Sequence, residues 1–407
     1  ETMHWRVPWF QAGATLFSPH AVYYSTRGGW WEWAPPDTGW RQPYFEHYGI
    51  FADTVSRVSR LLSEGTHVAD IAVHYPSYAA VGYMSLDDIK PLEHPMAASN
   101  RDPNGDVTRL REAYRDVTGA VNRKEAEALP GSLRSRHLDF DVVDDSALEK
   151  ADVADGTLAI AGERFGVFVL CGTTVMRPKA RERVKRLLEQ GGLVVGVNVP
   201  ETERAVFPGA VYVKTAEEMA ALVERRLAKR VEGPGLSLQR RAAGADVFLL
   251  LPKDGELLRM HEPADASAKP PGKAEYRLRT SGSPQLWDPV AGTAKPVAFE
   301  REGEWVRLRV EFRDWPAALI VCAPEPGADG TADSRKGMTS VEAGDRTEPA
   351  DARQEAATGK PGEEAAWDSR GKACPMPPPS GGRFPAATGA WPEPEQAGVV
   401  RTLEDWR

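Results

Sequence analysis

The densest set of groups able to do chemistry lies in residues 20–45, HAVYYSTRGGWWEWAPPDTGWRQPYF. Six of the chain's twelve tryptophans fall within its first forty positions, and Tyr23, Tyr24 and Tyr44 belong to the same segment. A connecting loop normally exposes its side chains, so large rings at this density need a partner. Aromatic rings pack against the apolar C–H faces of sugars, while His, Arg and carboxylate groups bond the hydroxyls. A concave pocket with a few convergent polar groups is the usual ligand site. His20, Tyr24, Arg27, Trp31 and Trp33 are therefore the candidate substrate-binding residues, and as a set they point to a saccharide. The competing reading, open for any single Trp, is that the ring holds a long loop onto its scaffold. Glu32 is the one carboxylate inside the ring cluster. It is a weak catalytic or ligating candidate, set against a solvated loop acid. His20 either bonds substrate or is structural, and Arg27 either bonds hydroxyls or pairs with Glu32 or Asp37.

Two other groups resemble reactive centres. Cys171 follows the apolar run VFVL, where a strand-to-helix turn presents nucleophiles in some α/β folds. It lacks the G-x-C-x-G flanks of a glutamine amidotransferase, and no His-x-Glu pair follows, so a catalytic thiol is disfavoured. In LDFDVVDD, alternation places Asp139 and Asp141 on one strand face, while Asp144 and Asp145 are expected to cap the next turn. A structural role is favoured over metal binding.

Composition narrows the classes. A net charge of −8 spread over 407 residues gives no basic stripe for nucleic acid. No apolar run reaches the roughly 18 residues of a membrane helix. Cys171, Cys322 and Cys374 form neither a disulfide framework nor a zinc pattern, which fits a reducing compartment or a secreted enzyme without staples. The sequence opens at Glu1, without an initiator Met or signal peptide, and reads as a truncated start.

The elements that must position these groups follow from periodicity. FQAGATLFS, 10–18, reads as a buried strand ahead of the aromatic loop. Ile50, Phe51, Val55, Val58, Leu61 and Leu62 predict a helix over 45–63, with Gly65 as its stop. VADIAVHYP (68–76), LDFDVVDD (138–145), AGERFGVFVL (161–170) and LVVGVNV (193–199) are strands. Helices are expected at 107–129, 178–192 and 215–230. Strands alternating with helices at this spacing argue for a doubly wound parallel sheet. From about Leu236 short strands split by turn residues argue for a β-sandwich. Beyond Pro324, Pro, Gly, Glu, Asp and Ala dominate, and disorder is expected.

The run GATLFSPHAVYYSTRG…APPDTGWRQPYFEHYGIFADTVSRVSRLLSEGTHVADIAVHYP resembles the end of the catalytic barrel in glycoside hydrolase family 106, the α-L-rhamnosidases. The features that carry it are His20 after a strand, Tyr24-Ser25-Thr26-Arg27-Gly28, Pro35-Pro36, and the Ala69 to Pro76 strand. LDFDVVDDSAL and DGTLAIAGERFGVFVL resemble the family's amidotransferase-like α/β domain, and PQLWDPVAGT resembles a strand of its β-sandwich. The likeness covers about residues 10–323. It implies the C-terminal part of a TIM-like barrel (1–66), an amidotransferase-like α/β domain (67–231), a β-sandwich (232–324) and a disordered tail (325–407). It also implies inverting hydrolysis of a terminal α-L-rhamnosyl bond in a rhamnose-containing glycoside, in a calcium-assisted site with its acid and base upstream of Glu1. No calcium ligand of the family maps onto these residues. Where the family's sandwich often opens with a His-Arg pair, this chain has Gln239-Arg240-Arg241. Two alternatives stand beside this reading: a β-galactosidase-like glycosidase of the same architecture, and a non-catalytic carbohydrate-binding remnant.

Overall fold

The computed structural model describes residues 2–17, 42–83, 105–122, 127–252, 272–312 and 317–324, with the short pairs 366–367 and 373–374. It is a mixed α/β protein with one parallel sheet and several antiparallel ones. The chain opens with helix α1 (Thr2–Gln11), and after a 3-10 turn at Phe45–His47 comes α2 (Tyr48–Ser63). The strand expected over 10–18 is not formed: Phe10 and Gln11 close α1, and residues 14–17 follow without regular structure. Val7 and Phe10, three apart, share the buried face of that helix. On α2 the buried residues are Thr54, Val58, Leu61 and Leu62. Ile50, read as part of that stripe, is 58% exposed. Gly65 does end the helix, at φ +67. A Cβ there would lie 1.9 Å from the carbonyl oxygen of Arg241, so only glycine permits the turn into β1 (Thr66–His67).

Strand β2 (Ile71–His74) is buried along its whole length. It is followed by α3 (Ser77–Tyr83) and α4 (Asp106–Thr118). The helix expected over 107–129 stops at Thr118, where Gly119 takes φ 91. A hairpin of β3 (Ala120–Asn122) and β4 (Glu127–Leu129) occupies the remainder. After α5 (Gly131–Arg134) come β5 (Phe140–Val143), α6 (Asp145–Glu149), and a three-stranded meander of β6 (Asp152–Ala154), β7 (Thr157–Ile160) and β8 (Glu163–Phe165). The unit continues with β9 (Val167–Cys171), α7 (Pro178–Glu189), β10 (Leu193–Val197), β11 (Val211–Val213) and α8 (Ala216–Arg226). A Thr215–Glu218 capping box starts α8.

The parallel sheet runs β11-β10-β9-β2-β5. In order of appearance that is 2-1-3-4-5 read from the far edge, a doubly wound arrangement. Leu148, Val184 and Leu187 cover one face, and Ala113, Val117, Leu133, Met219 and Val223 cover the other. Burial on both faces is why these strands read as unbroken apolar runs.

The last described part is antiparallel: β12 (Val231–Glu232), β13 (Leu236–Ala242), β14 (Ala245–Leu251), β15 (Lys273–Arg279), β16 (Ser283–Asp288), β17 (Thr293–Pro296), β18 (Phe299–Glu302), β19 (Trp305–Glu311) and β20 (Ala318–Ala323). Two sheets form, β1-β13-β14-β20-β16-β17 and β12-β15-β19-β18. Phe248, Leu250 and Ile320 point between them, against Tyr276, Leu278, Val306 and Leu308. Val247, Leu249 and Leu251, the alternate residues of β14, point the other way and pack on α1 and α2. The larger sheet is thus buried on both faces, which accounts for VFLLL. Trp287, from the PQLWDP motif, lies on β16 in the layer under those helices. The β13–β14 turn has Ala243 and Gly244 both at positive φ, as a two-residue hairpin of matching twist requires.

These elements from Thr2 to Ala323 belong to one compact unit. Within a second, 329–397, the described residues are the antiparallel pair Ala366–Trp367 and Ala373–Cys374. The rest of the expected disordered tail lies outside the described residues.

Candidate functional site

His20, Tyr24, Arg27, Trp31, Glu32 and Trp33 lie outside the described residues, so the structure neither assembles nor separates them. Cys171 is fully buried at the end of β9, and burial pushes its thiol far above the usual range. A thiol held protonated in an apolar site is a poor nucleophile.

The acidic run behaves as its alternation suggested, with one addition. Asp139 and Asp141 lie on one side of β5 and meet His67, which β1 brings across from the sandwich sheet. The His67 ring donates from Nε2 to Asp139 Oδ2 at 2.9 Å and from Nδ1 to Asp141 Oδ1 at 3.0 Å. Glu163, at the start of β8, accepts from the His67 backbone N–H at 3.2 Å. One residue from each of three sheets therefore converges with a fourth, Asp139, which Phe140 N–H braces at 3.0 Å. Arg240, opposite His67 in the β1–β13 ladder, bonds the carbonyls of Glu64 and Gly65. Arg240 thereby ties the sandwich to the end of α2.

The electrostatics follow from this crowding. Burial alone would lower the His67 pKa, but two aspartates on its two nitrogens, Asp139 foremost, hold it up at about 10. Burial and the adjacent Asp141 carboxylate push Glu163 up to about 7. Burial would also raise Asp141, yet the bond from His67 lowers it on balance. A shallow cleft of about 30 Å³ runs beside Asp139, lined also by Val68, Leu138, Gln239 and the Asp70–Arg230 pair. That is room for a few waters, far below the roughly 300–1,000 Å³ of ordinary ligand pockets.

Asp144 caps α6, accepting from Ala147 N–H at 2.8 Å. Asp145 does not cap. Its buried carboxylate accepts from His74 Nε2 at 2.9 Å and from Arg177 N–H at 3.3 Å. At the carboxyl ends of β2 and β9, where open α/β sheets bind ligands, Glu203 fills the crevice. It accepts from Thr173 Oγ1 (2.8 Å), Thr174 N–H (2.7 Å) and Tyr83 OH (3.0 Å). Its acceptor sites are used on the protein itself.

No sequence-family model matches the chain, and no curated protein does. Among solved structures, the rhamnosidase from Novosphingobium sp. PP1Y is similar over 72% of this chain and 26% of its own, with 16% identity and a TM-score of 0.45. An α-L-fucosidase, isoenzyme 2 from Paenibacillus thiaminolyticus, is similar over 67% of this chain and 52% of its own, at 11% identity and TM-score 0.36. The exo-carrageenase GH42 from Bacteroides ovatus gives 67% and 31%, 12% identity and TM-score 0.32. The chain thus spans about a quarter to a half of the length of these proteins.

Proposed function

We propose that this chain is the C-terminal portion of a glycoside hydrolase, from the end of its catalytic barrel onward, and that the enzyme cleaves terminal α-L-rhamnosyl bonds with inversion. The observation that carries the reading is order. The segments whose sequence resembles the α-L-rhamnosidases of family 106 fall, one after another, on α2, β2, β5 and β9 of the parallel unit and then on β16 of the sandwich. In this reading the segment 1–66 contributes to the substrate-binding end of a barrel, and its aromatic run faces the sugar.

Inversion needs a carboxylic acid on the leaving oxygen and a carboxylate activating water across the ring, roughly 6.5–9.5 Å apart. Neither role is assigned to a residue of this chain. What these residues would supply is binding: Trp31 and Trp33 stack on the sugar face, while His20, Tyr24 and Arg27 bond its hydroxyls and fix its orientation. Calcium takes six to eight oxygen ligands. It does not fit the three-donor cluster found among the described residues, which offers an imidazole nitrogen and two carboxylates.

The binding role has a direct test. In the intact enzyme, Trp31→Ala and His20→Ala are expected to weaken L-rhamnose binding about tenfold or more by calorimetry, with little change in melting temperature. Unchanged affinity together with a large drop in melting temperature would show that the rings only secure the loop.

A further inference from the structure

We propose that His67, Asp141 and Glu163 form a site for a borderline divalent cation of the zinc type, with Asp139 as the carboxylate that orients the imidazole. The three donor atoms already lie within 4.8 Å of one another. Zinc ligands about 2.0–2.2 Å from the metal stand roughly 3.3–3.5 Å apart at tetrahedral angles, so modest side-chain rotation suffices. The donors sit on three strands, β1, β5 and β8, and strands hold ligand geometry better than loops do.

The surrounding shell has the form a metal-bound histidine needs. Such a ring commonly donates its other N–H to a carboxylate, which fixes its orientation and strengthens it as a ligand. Asp139 occupies that place at 2.9 Å from Nε2, leaving Nδ1 on the side of Asp141 and Glu163. Asp141 Oδ2 is buried without a hydrogen-bond partner, although buried polar atoms are nearly always satisfied. Asp141 and Glu163 stand side by side, and such a pair is held together either by a shared proton or by a cation bound between them.

The charges agree. Asp139, Asp141 and Glu163 set against the single Arg240 guanidinium leave two negative charges, which one divalent ion neutralises once the imidazole gives up its Nδ1 proton. An imidazole beside two carboxylates suits zinc or a similar first-row ion better than calcium or magnesium. Three protein ligands also leave a fourth position for water. Bound there, the ion would pin the sandwich edge strand β1 to the parallel sheet and to the meander.

The test is a titration of the full chain with Zn²⁺ after chelator treatment, read by calorimetry and melting temperature, with Ca²⁺ as control. The expected result is one Zn²⁺ per chain lost on Glu163→Gln and on Asp141→Asn, and a rise in melting temperature that Ca²⁺ does not reproduce. Asp139→Asn should weaken binding about 10–100-fold. Co²⁺ in place of zinc should give an intense visible spectrum in the wild type and none in Glu163→Gln. That variant removes a like charge and should stay folded, as near-UV circular dichroism would report. No binding by folded wild-type protein, or Zn²⁺ uptake equal in wild type and Glu163→Gln, overturns the proposal.

Discussion

Replacing His74 by alanine is expected to cost the fold about 2–4 kcal/mol, from a buried carboxylate left short of a donor and a cavity opened in the core. His74 is 1% exposed and Asp145 only 4%, so the carboxylate cannot turn to water when the imidazole is gone. Its remaining partner is Arg177 N–H at 3.3 Å, too little to compensate a buried charge. The imidazole also leaves a hole on the face of β2 that it shares with Phe168, whose ring centroid lies 6.0 Å away. Urea denaturation should show a lowered midpoint at unchanged slope. The double variant His74→Leu/Asp145→Leu should recover part of the loss, because two apolar groups leave no buried charge behind. A single-variant cost under about 1 kcal/mol would contradict this account of the pair.

The second large effect is one of pH. Chelator-treated protein should lose stability as pH rises from about 6.5 to 10. His67 has its folded pKa raised from 6.5 to about 10, so its contribution is full below 6.5 and disappears as pH climbs through the folded value. Glu163, raised from 4.5 to about 7, acts in the same direction over a lower window. Asp141 acts oppositely, with its contribution lost only as pH falls below the ordinary carboxylate range. Because His67 is 10% exposed, the loss should be on the order of 3 kcal/mol, less than the full shift would imply. His67→Gln should flatten the profile between pH 6.5 and 10. A wild-type profile that stays flat, or a slope that survives in that variant, would separate the stability change from this histidine.

Much of the architecture was legible because local pattern and burial agree. VFVL, IAVH and LVVGV are apolar throughout, and each proves to be covered on both faces by helices. The PKARERVKRLLE and TAEEMAALVERR runs mark α7 and α8 just as plainly. Errors arose where tertiary contacts decide. Phe10 and Leu16 read as one strand, yet Phe10 belongs to a helix that the sandwich sheet stabilises from more than two hundred residues away. Ile50 continues the α2 stripe in sequence but lies beyond the part of the helix that meets the sheet. The helical pattern over 107–129 runs past the true end at Thr118, because Gly119, at φ 91, stops the helix where the sequence period alone does not.

The His67 cluster was only half legible. Alternation in LDFD placed Asp139 and Asp141 together, but nothing near His67 announces its partners, which lie 72 to 96 positions further along. A histidine just ahead of a buried strand was the one available sign. Asp145 differs from its expected role for a related reason: a cap needs only local backbone, whereas its partner, His74, is 71 residues away.

Glycoside cleavage is most directly tested by giving the complete gene product aryl α-L-rhamnoside and aryl β-galactoside side by side. Release of the aryl group from the rhamnoside is expected, with L-rhamnose appearing first as the inverted anomer by NMR. Turnover of the galactoside alone, or of neither substrate by well-folded protein, would contradict the rhamnosidase reading.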